Sequence, residues 1–134
     1  SQGIDRNRVA MLTAVLDRRL RLGLSNMDSF LNVVGGLRID ETASDLAVVC
    51  AIASTFRDRP VRADTVLFGE VGLSGEIRSV SNIDRRIMEA SRMGFSACIL
   101  PGGARRAAER IRSDRLPELF FVDNINEALD IALD

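Results

Sequence analysis

Apolar residues recur at Val9, Leu12, Leu16 and Leu20, a helical stripe that Asp5 caps and Gly23 ends. Arg6, Arg8, Asp17, Arg18 and Arg21 fall on the other face, which the pattern predicts to be solvated. Val33 and Val34 precede Gly35-Gly36, and Leu37 and Ile39 alternate after it, so extended segments joined at a turn are expected here. Thr42 and Asp45, three residues apart, have the form of a capping box, in which hydroxyl and carboxylate each satisfy a free backbone N–H. A helix is therefore expected from near Ala43. Nearly every residue from Leu46 to Ala53 is apolar, which predicts a central helix buried on most sides, ending at Arg57-Asp58-Arg59-Pro60.

Beyond it, Thr65–Val71 is a β-branched and apolar run expected to form a buried strand. Gly72-Leu73-Ser74-Gly75 turns it back into Glu76–Val80 as a β-hairpin. Asn82 offers a cap, Ile83, Ile87 and Ala90 give one apolar stripe, and Gly94 suits a C′ stop, so Ile83–Met93 reads as a helix. A strand over Ala97–Leu100 is closed by Pro101-Gly102-Gly103, and a short arginine-rich helix over Ala104–Ile111 leads to a strand at Leu119–Val122. Asn124 and Glu127 form a second capping box, and Ile125, Ala128, Leu129, Ala132 and Leu133 share one face of a closing helix. Alternating helices and strands around a hairpin predict an α/β (α+β) sandwich with a mixed sheet packed with helices, in one domain over 1–134. No internal repeat, low-complexity tract or linker interrupts it.

Composition narrows the chemistry more than the fold. The 134 residues include no histidine, and all eighteen basic residues are arginine. Arginine stays protonated and cannot act as a general base, so Ser–His–Asp, Cys–His and Ser–Lys nucleophile systems have no base within the chain. A phosphate loop of the Walker type lacks its lysine, and Gly69, Gly72 and Gly75 read as turn glycines. With no imidazole, and with Cys50 and Cys98 far apart inside apolar runs, a zinc site is unsupported and both cysteines read as buried free thiols. Carboxylates remain as the candidates for chemistry: Asp40, Glu41, Asp45, Glu70 and Glu76. The longest apolar run is too short to span a bilayer and no leading segment resembles a signal peptide, so a cytoplasmic protein without membrane partners is expected.

Four segments occur in a characteristic order and spacing: Thr-Ala-Ser-Asp-Leu-Ala, Arg-Asp-Arg-Pro-Val-Arg-Ala-Asp, Phe-Gly-Glu-Val-Gly-Leu-Ser-Gly-Glu-Ile-Arg and Gly-Phe-Ser-Ala-Cys-Ile-Leu-Pro. With the preceding Asn-Val-Val-Gly-Gly-Leu-Arg-Ile they cover Phe30 to Pro101, and they resemble the Lon protease-like C-terminal domains of the bacterial RadA (Sms) family. The resemblance implies the ribosomal protein S5 domain 2-like fold of Lon proteolytic domains. It further implies a longer protein whose zinc finger and RecA-like ATPase core lie upstream, so that zinc and ATP belong to those parts and this domain has no cofactor of its own. Counting back from Pro60–Asp64 places the Lon nucleophile position on Ala43, with Ser44 as its neighbour. Counting forward from Phe68-Gly69-Glu70 places the lysine position on Asp84. Both dyad positions are thus altered, and the missing lysine makes the same point without an alignment. Ser44 and Asp84 then read as helix-start residues, the one supplying a hydroxyl to free N–H groups and the other a negative charge to the dipole. Gly69-Glu70 and Gly75-Glu76 read as shaping the strand and hairpin.

Two readings of different class follow. In the first, a non-catalytic module supports a hexameric ring in a RadA-like recombination helicase and contacts single-stranded DNA, while a recombinase is the partner of the parent protein. Arg57, Arg59, Arg62, Arg78, Arg85, Arg86, Arg105 and Arg106 are the DNA-contact candidates, with Arg110 and Arg112 beside them. A net charge of −1 confines any such surface to one local face. In the second, the fold is only an oligomerisation scaffold, and the arginines are solvated or paired with carboxylates. Residual Lon-type peptidase activity stands as a third alternative.

Overall fold

The computed structural model describes residues 6–20 and 41–133. The expectations for Asp5, Gly23, the extended segments over 30–39 and Asp40 lie outside them. Helix α1 (Arg6–Leu20) buries Val9, Leu12, Val15 and Leu16. A 3-10 turn (Thr42–Ser44) leads into the central helix α2 (Asp45–Arg57), which buries seven of its residues and ends at Asp58 in the left-handed conformation. The expected strand over 65–71 is two: β1 (Thr65–Leu67) and β2 (Glu70–Val71), the latter paired with β3 (Ile77–Arg78) in the predicted hairpin. The break falls at Phe68-Gly69, where the Gly69 N–H donates to the Ala43 carbonyl at 2.9 Å and the Gly69 carbonyl accepts from Leu46 at 3.0 Å. A side chain there would collide with Ile77, whose Cγ2 lies 2.8 Å from the position of a Cβ. Gly69 is thus the seat of the α2 start and no turn glycine. Gly75, at φ 83°, does close the hairpin turn.

Helix α3 (Ile83–Arg92) ends before Gly94 at φ 87°, as its sequence predicts. Strand β4 (Ala97–Pro101), a 3-10 turn (Gly102–Ala104), the short helix α4 (Arg105–Glu109), strand β5 (Glu118–Val122) and helix α5 (Ile125–Ala132) complete the order. Strands β1, β4 and β5 form a parallel sheet in the order β1-β4-β5, with Thr65 opposite Ala97 and Ala97 opposite Glu118. Among the described residues the parallel and antiparallel pairings lie in separate ladders, joined through the Glu76 to Asn124 bridge and the Ile77 N–H to Asp123 carbonyl bond at 2.8 Å.

The sheet divides two cores. On one side Ile99 and Val122 pack with Leu12, Leu16, Leu46, Val49, Ile52, Ile125 and Leu129 from α1, α2 and α5. On the other, Cys98 and Leu100 pack with Phe68 and with Ile83, Ile87, Ala90, Ala104 and Ala108 from α3, α4 and the turn before it. Alternate residues of β4 thus enter opposite cores, as the period of two requires. Burying each large aliphatic side chain contributes roughly 1.5–3 kcal/mol. No described helix is long and apolar enough to cross a membrane.

Candidate functional site

The start of α2 is fixed by interactions the sequence does not advertise. Neither Thr42 nor Ser44 makes a side-chain capping bond, so the expected box at Thr42 and Asp45 is absent and Ser44 is no cap. Asp45 is 1% exposed and its carboxylate is engaged elsewhere. Oδ1 accepts from Arg8 Nε at 3.0 Å, and Oδ2 accepts from the Val71 N–H at 3.0 Å and pairs with Arg8 Nη2. A buried carboxylate without partners is costly, so a guanidinium fork and a backbone N–H outcompete the local cap. Arg8 therefore does not lie on a solvated face. It ties α1 to α2, and Asp45 in turn holds the hairpin through Val71.

Immediately before that clamp, Ala43 and Ser44 line a groove of about 630 Å³ between the α2 start, β1 and α3. Ala47, Val66, Phe68 and Phe95 supply apolar walls, and Arg85, Arg86 and Glu89 enter from α3. Arg86 spans the mouth, donating to Glu41 at 2.9 Å and to the Ser81 carbonyl at 2.8 Å, with its guanidinium 5.9 Å from the Phe68 ring. Glu89 is held by Arg92 at 2.8 Å. Among the described residues Ser44 is the only hydroxyl lining this groove, and no lysine or histidine exists in the chain to activate it. Among the described residues no group of three or more ligands could hold a metal ion.

Asp84 is not part of this groove. With Ile83, Ile87 and Ala90 buried, helical phase turns Asp84 about 100° to one side and Arg86 about 60° to the other. Asp84 accordingly borders a separate depression of about 510 Å³ with Met88, Ala107, Arg110, Ile111 and Arg112. The structure thus gathers Ala43 and Ser44 with Arg85 and Arg86, while Asp84 stands apart. Asn82, the expected cap of α3, is left-handed at φ 60° and makes no side-chain capping bond. A local reversal of the chain, rather than a cap, sets the start of that helix.

The arginine candidates separate by partner. Arg62 pairs with Glu118 at 3.8 Å and covers Phe120 at 4.7 Å, Arg78 pairs with Glu76 at 2.9 Å, and Arg86 with Glu41. Arg59 reaches the Leu133 carbonyl at 3.5 Å, and Arg105 lies 4.3 Å over the Phe121 ring. Arg57, Arg85, Arg106, Arg110 and Arg112 have no side-chain partner among the described residues. Glu76 also accepts from the Ser74 N–H, and hydrogen bonds from its own backbone N–H, then from Arg78 and Ser74, hold its carboxyl below the usual range. Glu70 makes no side-chain bond with a described residue. Both thiols are free, and burial pushes Cys50 up to about 12 and Cys98 up to about 11, which leaves them protonated and unreactive at neutral pH.

Charge is unevenly shared between the two helical layers. Residues 83–115, which build the α3 and α4 side, hold eight arginines and four acidic residues, so the rest of a chain of net charge −1 is acidic. Sequence reasoning missed Arg8, Glu41 and Asp45 as paired residues. A carboxylate at the head of an apolar run, and an arginine four residues before Leu12 on the buried stripe, were the available signals.

Residues 29–134 match the Lon protease (S16) C-terminal proteolytic domain family. The chain is 44% identical over 131 residues to the DNA repair protein RadA of Bacillus subtilis, covering 98% of this chain and 28% of that protein. It is 43% identical over 131 residues to RadA of Haemophilus influenzae and 42% to that of Escherichia coli, covering 96% of this chain and 27% of each. The chain therefore spans little more than a quarter of these relatives. Helix α1 precedes the family match but falls within the match to the Bacillus protein.

Proposed function

The chain belongs to the Lon protease (S16) C-terminal proteolytic domain family, and from that membership we propose that it is a non-catalytic scaffold within a longer, cytoplasmic DNA repair protein of the RadA kind. One observation supports the loss of chemistry: among the described residues the groove at the α2 start is lined by a single hydroxyl, Ser44, with no lysine or histidine in the chain to activate it, and its two carboxylates, Glu41 and Glu89, are each paired with an arginine. In this reading Ala43 and Asp84 occupy the former nucleophile and lysine positions. The domain helps assemble a hexameric ring and touches DNA with the arginines of the α3 and α4 layer, and the ATPase, the zinc site and the recombinase contact belong to the rest of the parent protein.

The excess of arginine over 83–115 favours DNA contact over a scaffold alone. Native mass of the purified chain and its binding to oligonucleotides at several salt concentrations separate the two. Assembly with salt-sensitive binding is expected, since phosphate contacts strengthen as salt falls. Assembly with no binding at low salt would leave only the scaffold. A peptidase assay tests the loss of chemistry: no turnover is expected, and cleavage abolished by Ser44→Ala would refute it.

A further inference from the structure

Nucleic-acid binding proteins hold single strands in two ways, by cations along the phosphates and by exposed rings on which bases stack. The chain has no tryptophan or tyrosine. Its described phenylalanines, Phe56, Phe68, Phe95, Phe120 and Phe121, are all buried or half-buried. The rings of Phe120 and Phe121 are already covered by Arg62 and Arg105. Among the described residues no aromatic platform faces outward on the basic layer.

What does face outward there is arginine. Arg106 and Arg110 lie one helical turn apart, and Arg110 and Arg112 border the depression shared with Asp84; all three are exposed and have no side-chain partner among the described residues. Guanidinium forks match phosphate oxygens, and no described carboxylate pairs with these three. Among the described residues Asp84 is the acidic group lining that depression, and it opposes an approaching phosphate.

Building on the DNA contact proposed above, we infer that this layer recognises the sugar-phosphate backbone alone, through Arg106, Arg110 and Arg112, and that Asp84 acts as an electrostatic brake on it. The bases carry no affinity. The former lysine position thus bears on the strength of the anion contact and not on the groove where cleavage would occur.

The test compares the 134-residue chain on oligothymidylate and on an abasic deoxyribose-phosphate oligomer of equal length, by fluorescence anisotropy across a salt series. The two should bind within about twofold, whereas each base stacked on a ring would be a factor of roughly 5 to 150. The triple variant Arg106→Ala, Arg110→Ala, Arg112→Ala should shallow the slope of log K against log salt by about 2. Asp84→Asn should raise affinity several-fold at low salt and lose that advantage at high salt, a gain that misfolding cannot produce. Oligothymidylate binding more than about tenfold tighter than the abasic oligomer overturns the backbone-only inference while DNA contact stands. Binding untouched by the triple variant overturns the assignment to these arginines. No binding to either polymer at low salt removes DNA contact and this inference together.

Discussion

The two helical layers cover the same three parallel strands, yet different things hold them. On the side of α1, α2 and α5 the core is large and aliphatic, with Leu12, Leu16, Leu46, Val49, Ile52 and Ile125 buried, and the charge that enters it is matched, Asp45 by Arg8. On the side of α3 and α4 the core leans on Ala90, Ala104 and Ala108, and the arginines on its surface mostly have no partner among the described residues or are tied to exposed ones. The contrast teaches where each kind of charge goes. A buried charge must be completed from within the chain, whereas a surface charge can wait for a partner from outside.

The largest test of this contrast removes one arginine from each layer. Arg8→Ala leaves the Asp45 carboxylate buried with only the Val71 N–H, and should cost about 3 kcal/mol in denaturant unfolding at unchanged m-value. Arg86→Ala breaks a pair with exposed Glu41 and should cost less than about 1 kcal/mol. Combining Arg8→Met with Asp45→Asn neutralises both partners and keeps an acceptor for Val71, so part of the loss should return. Equal losses for the two single variants would erase the distinction between the layers.

That clamp also marks the limit of what the sequence discloses. Periodic segments place α1 and α2 and give α3 and α5 nearly to the residue, because amphipathic stripes and glycine stops are local signals. The hairpin and its turn are legible for the same reason. The pairs that shape the groove are not, since Arg8 and Asp45 are 37 residues apart and Arg86 and Glu41 are 45 apart. Phe68-Gly69 looks like uninterrupted strand because what breaks it is a clamp onto Ala43 and Leu46, made in space. Resemblance locates Ala43, but the outward direction of Asp84 follows from which face of α3 is buried, a phase that Ile83, Ile87 and Ala90 already encode.

Each core holds one buried thiol, Cys50 in the aliphatic core and Cys98 in the smaller one, so alkaline pH probes both. Both folded values are raised from 9.0, to about 12 and about 11, so the native state keeps protons that the unfolded chain releases. Stability from this source is therefore full below pH 9 and is lost as pH rises through 11 to 12. With no lysine, tyrosine or histidine in the chain and arginine titrating higher, these thiols are the side chains that respond in that window. A single such group changes stability by about 1.4 kcal/mol per pH unit while it titrates. Between pH 9 and about 11 both thiols contribute and above that only Cys50 does, so Cys98→Ala should halve the earlier slope, whereas Cys50→Ala should halve it and also end the decline near pH 11. A decline unaltered in the double variant would assign it to something else.

The smallest effects come from two asparagines that look alike in sequence and start one helix in each layer. Asn124 is extended and its Oδ1 accepts from the Glu127 N–H at 2.9 Å, while Glu127 reaches back to the Asp123 N–H at 2.8 Å. Asn82 makes no side-chain capping bond and serves only to turn the chain through φ 60°. Ser can cap but resists the left-handed region, and Gly enters that region freely but offers no acceptor. At position 124 Ser should therefore match Asn within a few tenths of a kcal/mol and exceed Gly, with Ala costing about 1 kcal/mol. At position 82 the order should reverse, Gly at least equalling Asn and Ser falling below both by up to about 1 kcal/mol. The same rank order at both sites would mean that α3 is capped as α5 is, and the difference between the two helix starts would disappear.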